Sequence, residues 1–102
     1  MHDHIFVAQS PLGKQVVLAS STWNNHIVTR HPEMAGNESA VKDTIENPEV
    51  IYRSNWNPDA EIFMSKQKAS SYPHLFTRVV VGYNGNDIGN VETALFTKSI
   101  SV

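Results

Sequence analysis

The spacing of apolar residues changes at Asn47-Pro48, and this change constrains the fold more than any other feature of the chain. Before it, apolar side chains recur at helical spacing, and Ser20-Ser21-Thr22 and Asn37 are suited to begin two helices. After it, four segments have the composition of β-strands: 50–54, 62–68, 75–83 and 88–97. Helices and strands that are segregated along a chain indicate an α+β fold with an antiparallel sheet.

Two hairpins are expected. Apolar runs at 5–8 and 15–19 flank a turn at residues 11–14, which suits a short hairpin in front of the helices. Asn84-Gly85 accepts the positive φ angles of a tight turn and is predicted to join the last two strands. We therefore expect residues 1–102 to form one α+β domain. Its N-terminal helices, with or without the preceding hairpin, would pack on one face of a four-stranded antiparallel sheet.

Composition limits the kind of protein that this can be. A chain of 102 residues suits one domain. The absence of cysteine excludes disulfides, a thiolate nucleophile and sulfur-bound zinc, and it fits a reducing compartment. No apolar run approaches the length of a membrane span, and residues 1–4 lack the basic start of a signal peptide. We expect a cytoplasmic protein. Its net charge of −2 gives no sign of nucleic-acid binding.

Residues 23–33 hold the densest set of chemically active side chains. His26 and Arg30 are four positions apart on a predicted helix and would point the same way. His31 would lie at the helix end, either as a proton carrier or simply as a cap for the last carbonyl groups. Trp23 could stack on a base or belong to the core. The spacing of His26 and His31 does not suit a metal site, and none is predicted.

The predicted strands carry a second set of candidates. Lys66 and Lys68 alternate onto one side of their strand and, with Arg78 and Arg30, could bind phosphate. The alternative is that these cations belong to an ordinary solvated surface. Thr93 is a candidate in the last strand, although threonine is also a normal strand former. Strict alternation there places 91, 93 and 95 on one side and 92, 94 and 96 on the other.

Several of these residues form a pattern with a fixed order and defined gaps. The order is Trp23-x-x-His26-Ile27-x-x-x-His31-Pro32-Glu33, Val41-x-x-Thr44-Ile45-x-Asn47-Pro48-x-x-Ile51, Val79-Val80-Val81 and Thr93-Ala94. This pattern resembles the phage-associated branch of the BECR nucleases, a superfamily of barnase-like, EndoU-like, colicin-type and RelE-like ribonucleases. The resemblance covers about residues 23–97. It implies the barnase/RelE-like arrangement of N-terminal helices followed by a four-stranded antiparallel sheet.

The resemblance implies a toxin-like, metal-independent endoribonuclease that needs no cofactor. Such an enzyme cleaves RNA by attack of the ribose 2′-OH on phosphorus, which leaves a 2′,3′-cyclic phosphate. By position, His26, His31 and Thr93 match the family's residues. His26 would act as base or acid, and His31 would be the second proton carrier or a support for His26. Arg30 with Lys66 or Lys68 would hold the phosphate. RNA is the implied substrate, and an antitoxin or immunity protein is a possible partner.

Two other interpretations stay open at this stage. The chain could be a non-catalytic phage or mobile-element module of the same fold that binds another protein, which the acidic charge balance favours. It could also be an inactive paralogue that acts as an inhibitor. Geometry discriminates between them: convergence of His26, Thr93 and a cation on one concave surface would favour the nuclease, and a sealed His26 would favour the binding module.

Overall fold

The computed structural model describes residues 4–55, 58–66, 75–83 and 87–98. In this part of the chain, six strands form one sheet and short helices follow the second strand. The strands are β1 (His4–Gln9), β2 (Gln15–Ala19), β3 (Val50–Arg53), β4 (Ala60–Lys66), β5 (Phe76–Gly82) and β6 (Ile88–Thr97).

The helices lie between β2 and β3. A first helical segment runs without a break through α1 (Ser20–Thr22), a π-helical turn (Trp23–Ile27) and α2 (Val28–Arg30). A 3₁₀ turn (Pro32–Met34) follows, and α3 (Glu38–Glu46) is the second helix. The first segment ends before Pro32, as expected from the restriction that proline places on the residue before it.

The sheet has the order β1-β2-β6-β5-β4-β3. Neighbouring strands are antiparallel except β2 and β6, which are parallel in the register Val16 to Gly89. The predicted antiparallel pairing of the last two strands is confirmed, with Val79 opposite Ala94 and Phe76 opposite Thr97. The Asn84-Gly85 turn that was predicted between them falls outside the described residues.

The predicted four-stranded antiparallel sheet is therefore wrong. The N-terminal hairpin does not merely precede the helices: β2 pairs with β6 and extends the sheet to six strands of mixed direction. The helices are also not N-terminal, because β1 and β2 come before them. Burial explains why the hairpin joins the sheet, since Val16 and Leu18 on one face of β2 are completely buried against the common core.

One glycine and two backbone hydrogen bonds account for the turn between β1 and β2. Gly13 takes a φ of 83°, a conformation that glycine adopts without strain. Its N–H donates to the Ser10 carbonyl at 3.0 Å, and the Ser10 N–H donates to the Lys14 carbonyl at 2.8 Å. A type I turn followed by a left-handed glycine is a common hairpin connection. This turn fixes which backbone groups of β1 face β2.

One face of the sheet carries the helices and the main core. The first helical segment packs on β6, and α3 packs on β5, β4 and β1. Because β1 lies at the opposite end of the sheet from β4, the sheet curves around α3. The completely buried side chains of this core include Ile27, Met34, Val41, Ile45, Phe63, Val79 and Val81.

A β-bulge in β6 breaks the expected alternation of side chains. Thr93 lies opposite Val80, but the next residue of β5, Val81, lies opposite Val91, so Glu92 is an extra residue. Val91 and Ala94 are both in the core with Val81. The sequence-based assignment of Val91 to the side of Thr93 is thus wrong, because strict alternation cannot anticipate an inserted residue.

Candidate functional site on the helix-free face

Strand alternation divides the predicted site residues between the two faces of the sheet. Val79, Val81 and Ala94 face the helices and belong to the core. Their neighbours Arg78, Val80 and Thr93 therefore point to the opposite side. We call this side the helix-free face, since no helix of the described residues packs on it. Its members on β4, β5 and β6 are Ile62, Met64, Lys66, Phe76, Arg78, Val80, Gly82, Thr93, Leu95 and Thr97.

Arg78 occupies the middle of the helix-free face. It lies between Met64 of β4 and Leu95 of β6 in the cross-strand register. Lys66 and Thr93 are its diagonal neighbours on the two flanking strands, at Cα separations of roughly 7–8 Å for such positions. Three of the residues predicted from the sequence, Lys66, Arg78 and Thr93, are therefore brought to one surface.

The guanidinium of Arg78 is incompletely satisfied. Its Nε is buried and has no hydrogen-bond partner in the described part of the chain. A buried donor that lacks an acceptor costs free energy, and such a group in a folded protein calls for an explanation. Arg78 is thus a cation of this face with hydrogen-bonding capacity that the described residues do not use.

The bulge in β6 adds a carboxylate to the same face. Glu92 is exposed, and its side chain lies across Gly82 of β5, where a Cβ would overlap the carboxylate. Gly82 alternates with Val81 and so faces away from the helices. Bulges next to functional sites commonly redirect a side chain. Here the bulge directs Glu92 to the face that holds Arg78 and Thr93.

Tyr52 brings a hydroxyl group to the helix-free face from the edge strand β3. It lies opposite Ile62, and its hydroxyl donates to the sulfur of Met64 at 3.5 Å. Met64 is in turn the cross-strand neighbour of Arg78. Sequence reasoning missed Tyr52 and Glu92. The signal for Glu92 lay in Gly82, because glycine inside a strand marks a bulge or a close approach of another group.

The remaining predicted residues lie on the helical side of the sheet. Trp23 is only 3% exposed and packs in the core, so its ring faces other side chains. His26 is half-buried in the π-helical turn, and Arg30 is exposed in α2. The sheet separates them from Thr93, which points to the opposite face. His26 and Thr93 therefore do not converge on one surface, the arrangement that would favour the nuclease, and His26 is also not sealed in the core.

His31 lies just after α2, where it ends the first helical segment. It is half-buried, and its Nδ1 lies 3.9 Å from Oε2 of Glu33. This contact joins residues of one turn and stabilises little when both side chains are partly exposed. The arrangement fits the alternative of a helix-terminating role, on the side of the sheet away from Thr93.

Lys66 and Lys68 were the two lysines predicted to bind phosphate. Lys66 ends β4 with an exposed side chain, and its backbone N–H donates to the Glu49 carboxylate at 2.5 Å. Lys68 falls outside the described residues. Within the described ranges, no three His, Asp or Glu side chains are grouped so that they could hold a metal ion. None of the helices there is long and apolar enough to cross a membrane.

Comparisons with known proteins yielded no match to a family model, a curated protein or a solved structure. The resemblance to the BECR nucleases rests on the sequence pattern alone.

Proposed function

We propose that the helix-free face binds the phosphodiester backbone of RNA and cleaves it without a metal ion. The observation that carries this proposal is the bulge, which places the Glu92 carboxylate on the same face as Arg78 with its unpartnered Nε. A cation for the phosphate and a base for the ribose hydroxyl are the two groups that such a reaction needs. The sequence resemblance to ribonucleases suggested the same activity, but of the residues that it matched by position only Thr93 lies on this face.

The substrate would lie over β5 and β6, because Ile62 and Met64 on the neighbouring part of β4 are buried. Val80 and Thr93 are opposite each other between the positions of Arg78 and Gly82, over which Glu92 extends. A phosphate above Thr93 is then approached by Arg78 from one side and by Glu92 from the other. Lys66, on the far side of Arg78, would contact the next phosphate along the chain.

Each of these residues has one role in the cleavage reaction. Glu92 accepts the proton of the ribose 2′-OH as its oxygen forms a bond to phosphorus. Arg78 stabilises the negative charge on the phosphorane, and the Thr93 hydroxyl donates a hydrogen bond to a phosphate oxygen. The bond from phosphorus to the 5′-oxygen breaks, and that oxygen takes a proton from water. The products are a 2′,3′-cyclic phosphate and a 5′-OH.

An RNA-cleavage assay in EDTA tests the proposal. The purified wild type is expected to cleave end-labelled single-stranded RNA, and mass spectrometry is expected to find cyclic phosphate ends. Arg78→Ala should lower the rate by about 10²–10³-fold, the usual effect of removing one group that stabilises transition-state charge. Arg53→Ala is the matched control. Arg53 is exposed and lies two positions after Ile51 in β3. Because Ile51 packs against the core, Arg53 is on the helical side of the sheet and not on the helix-free face.

Equal rates for Arg78→Ala and the wild type would remove the helix-free face from the mechanism. Absence of cleavage by the wild type on a panel of unrelated RNAs would contradict the ribonuclease proposal itself. The non-catalytic binding module would then be the better interpretation.

A further inference from the structure

The outer edge of β1 has the backbone geometry to accept another strand. β1 is the last strand of the sheet, and no strand of the described residues pairs with its free side. The bond from the Ser10 N–H to the Lys14 carbonyl fixes the pattern of the β1–β2 ladder. In an antiparallel ladder these bonds alternate along the strand, so the N–H and C=O groups of Val7 and Gln9 point away from β2.

A groove runs between this edge and α3. Its volume is about 250 Å³, and its walls are formed by Ile5 and Phe6 of β1 and by Glu38, Ser39 and Lys42 of α3. Ile5 and Phe6 also pack against the core, so the groove has a fixed apolar wall. A groove between an edge strand and a helix is the geometry in which several peptide-binding domains add an extended ligand to their sheet.

The charged side chains of α3 in the groove indicate which charges a bound extended segment would carry. Glu38 and Lys42 are four positions apart on α3, and neither forms an ion pair with another residue in the described part of the chain. Residues four apart on a helix have Cβ atoms about 5–6 Å from each other. Residues two apart on a strand are separated by about 6.6 Å. An extended segment with a basic and an acidic residue at alternate positions therefore matches both charges.

The opposite side of the β1 edge is apolar and exposed. Val7 is 47% exposed and lies beside the half-buried Val17 of β2. Exposed edges with apolar side chains are surfaces that natural proteins usually cover. An added strand would cover Val7 with one set of alternate side chains while the other set enters the groove.

We propose that this groove binds an extended segment of a partner polypeptide, which adds to the sheet as a seventh strand beside β1. The segment carries a basic and an acidic residue two positions apart toward α3. The intervening residue is apolar and covers Val7. This docking surface lies at the β1 edge, three strands away from Arg78 on β5, and does not depend on the proposed nuclease activity.

Selection from a phage-displayed library of random ten-residue peptides on the whole chain tests this proposal. We expect enriched peptides with the basic-x-acidic pattern. Hydrogen exchange of the Val7 and Gln9 amides should slow in the complex, since these amides would become hydrogen-bonded. Val7→Pro removes an N–H that β2 does not use, and proline is tolerated at such edge positions. It should weaken binding at least about tenfold, which corresponds to the loss of one or two backbone hydrogen bonds.

Two further variants keep the result interpretable if proline disturbs β1. Lys42→Glu should weaken binding several-fold, and exchanging the acidic residue of the peptide for lysine should restore it. Leu12→Ser is the control, because Leu12 is 55% exposed at the hairpin turn, outside the groove. Failure to enrich any peptide over a parallel selection on Val7→Pro would overturn the proposal. Equal binding to the wild type, Val7→Pro and Lys42→Glu would do the same.

Discussion

The side chain of Glu92 occupies the space that a Cβ on Gly82 would need. The two residues belong to neighbouring strands, and the contact exists because the bulge makes Glu92 an extra residue of β6. A glycine on one strand and a bulge on the other thus form a single feature. It holds a carboxylate over the sheet on the side away from the helices.

Gly82→Ala is expected to lower RNA cleavage without a large effect on stability. The new Cβ would displace the carboxylate, which is the flexible end of a side chain, so the free energy of unfolding should change by less than about 1 kcal/mol. Gly89→Ala is the contrasting variant. Its Cβ would meet Val81 and Tyr83 in the core and should destabilise the fold by about 1–3 kcal/mol. Urea unfolding and cleavage rates of both variants check this; a reversed order of the two stabilities would contradict it.

Glu92→Gln is expected to reduce the cleavage rate by about 10²–10⁴-fold, the usual contribution of a general base. Glutamine keeps the shape of the side chain and removes its ability to accept the proton. Glu46→Gln is the matched control, because Glu46 is an exposed glutamate at the end of α3. If both variants cleave RNA at the wild-type rate, Glu92 is not the base.

His26→Ala is expected to leave cleavage unchanged, since the sheet lies between His26 and the helix-free face. The sequence alone predicts the opposite, that this substitution abolishes activity. The thermal midpoint should be measured beside the rate, with His31→Ala as a companion variant. A loss of activity at an unchanged midpoint would return the proton-transfer role to His26 and would contradict the placement of the site on the helix-free face.

Tyr83 is expected to make the fold sensitive to alkaline pH. Burial, followed by the hydrogen bond to Glu61 at 2.7 Å and the charge of that carboxylate, raises the pKa of Tyr83 well above its usual value of 10.0. In the unfolded chain the phenol ionises near pH 10. The contribution of Tyr83 to stability is therefore complete below about pH 10 and is lost as the pH rises toward its folded-state pKa.

Tyr83→Phe removes this dependence while it keeps the aromatic ring. We expect a loss of about 1–3 kcal/mol at neutral pH, because the hydrogen bond to a charged group disappears. Above about pH 10 the difference in unfolding free energy between the two proteins should shrink. Urea titrations at several pH values measure this difference. A constant difference from about pH 7 to 11 would show that Tyr83 titrates alike in both states.

Local patterns in the sequence predicted the positions of the later strands, but they did not predict how all six strands join into one sheet. The run Val79-Val80-Val81 lies within β5, and β6 has the bounds 88–97 expected from its composition. Both strands form antiparallel pairs with sequence neighbours, which local patterns describe well. No local pattern predicts the pairing of β2 with β6, because the two strands are far apart in the sequence. The apolar face of β2 could also be buried against many other strands.

The candidate site could be predicted only in part for a similar reason. Lys66, Arg78 and Thr93 share a face because their strands alternate regularly over those positions. Glu92 was missed because strict alternation places it on the side of Ala94, which is the core side. The bulge puts Glu92 and Thr93 on the same side instead. His26 was grouped with Thr93 through the family resemblance, and the pattern contains no information on which side of the sheet the first helical segment packs.

The parallel pairing of β2 with β6 affects the order in which the molecule can assemble. β1 and β2 can form their hairpin early from local contacts, but β2 gains its second neighbour only when β6 is present. Contacts between distant parts of a chain slow folding, because a long loop must close before they form. Until then both edges of the hairpin stay open, and Val16 and Leu18 have no core to enter. During synthesis, the β2 edge of this hairpin therefore stays unpaired until β6 has been made.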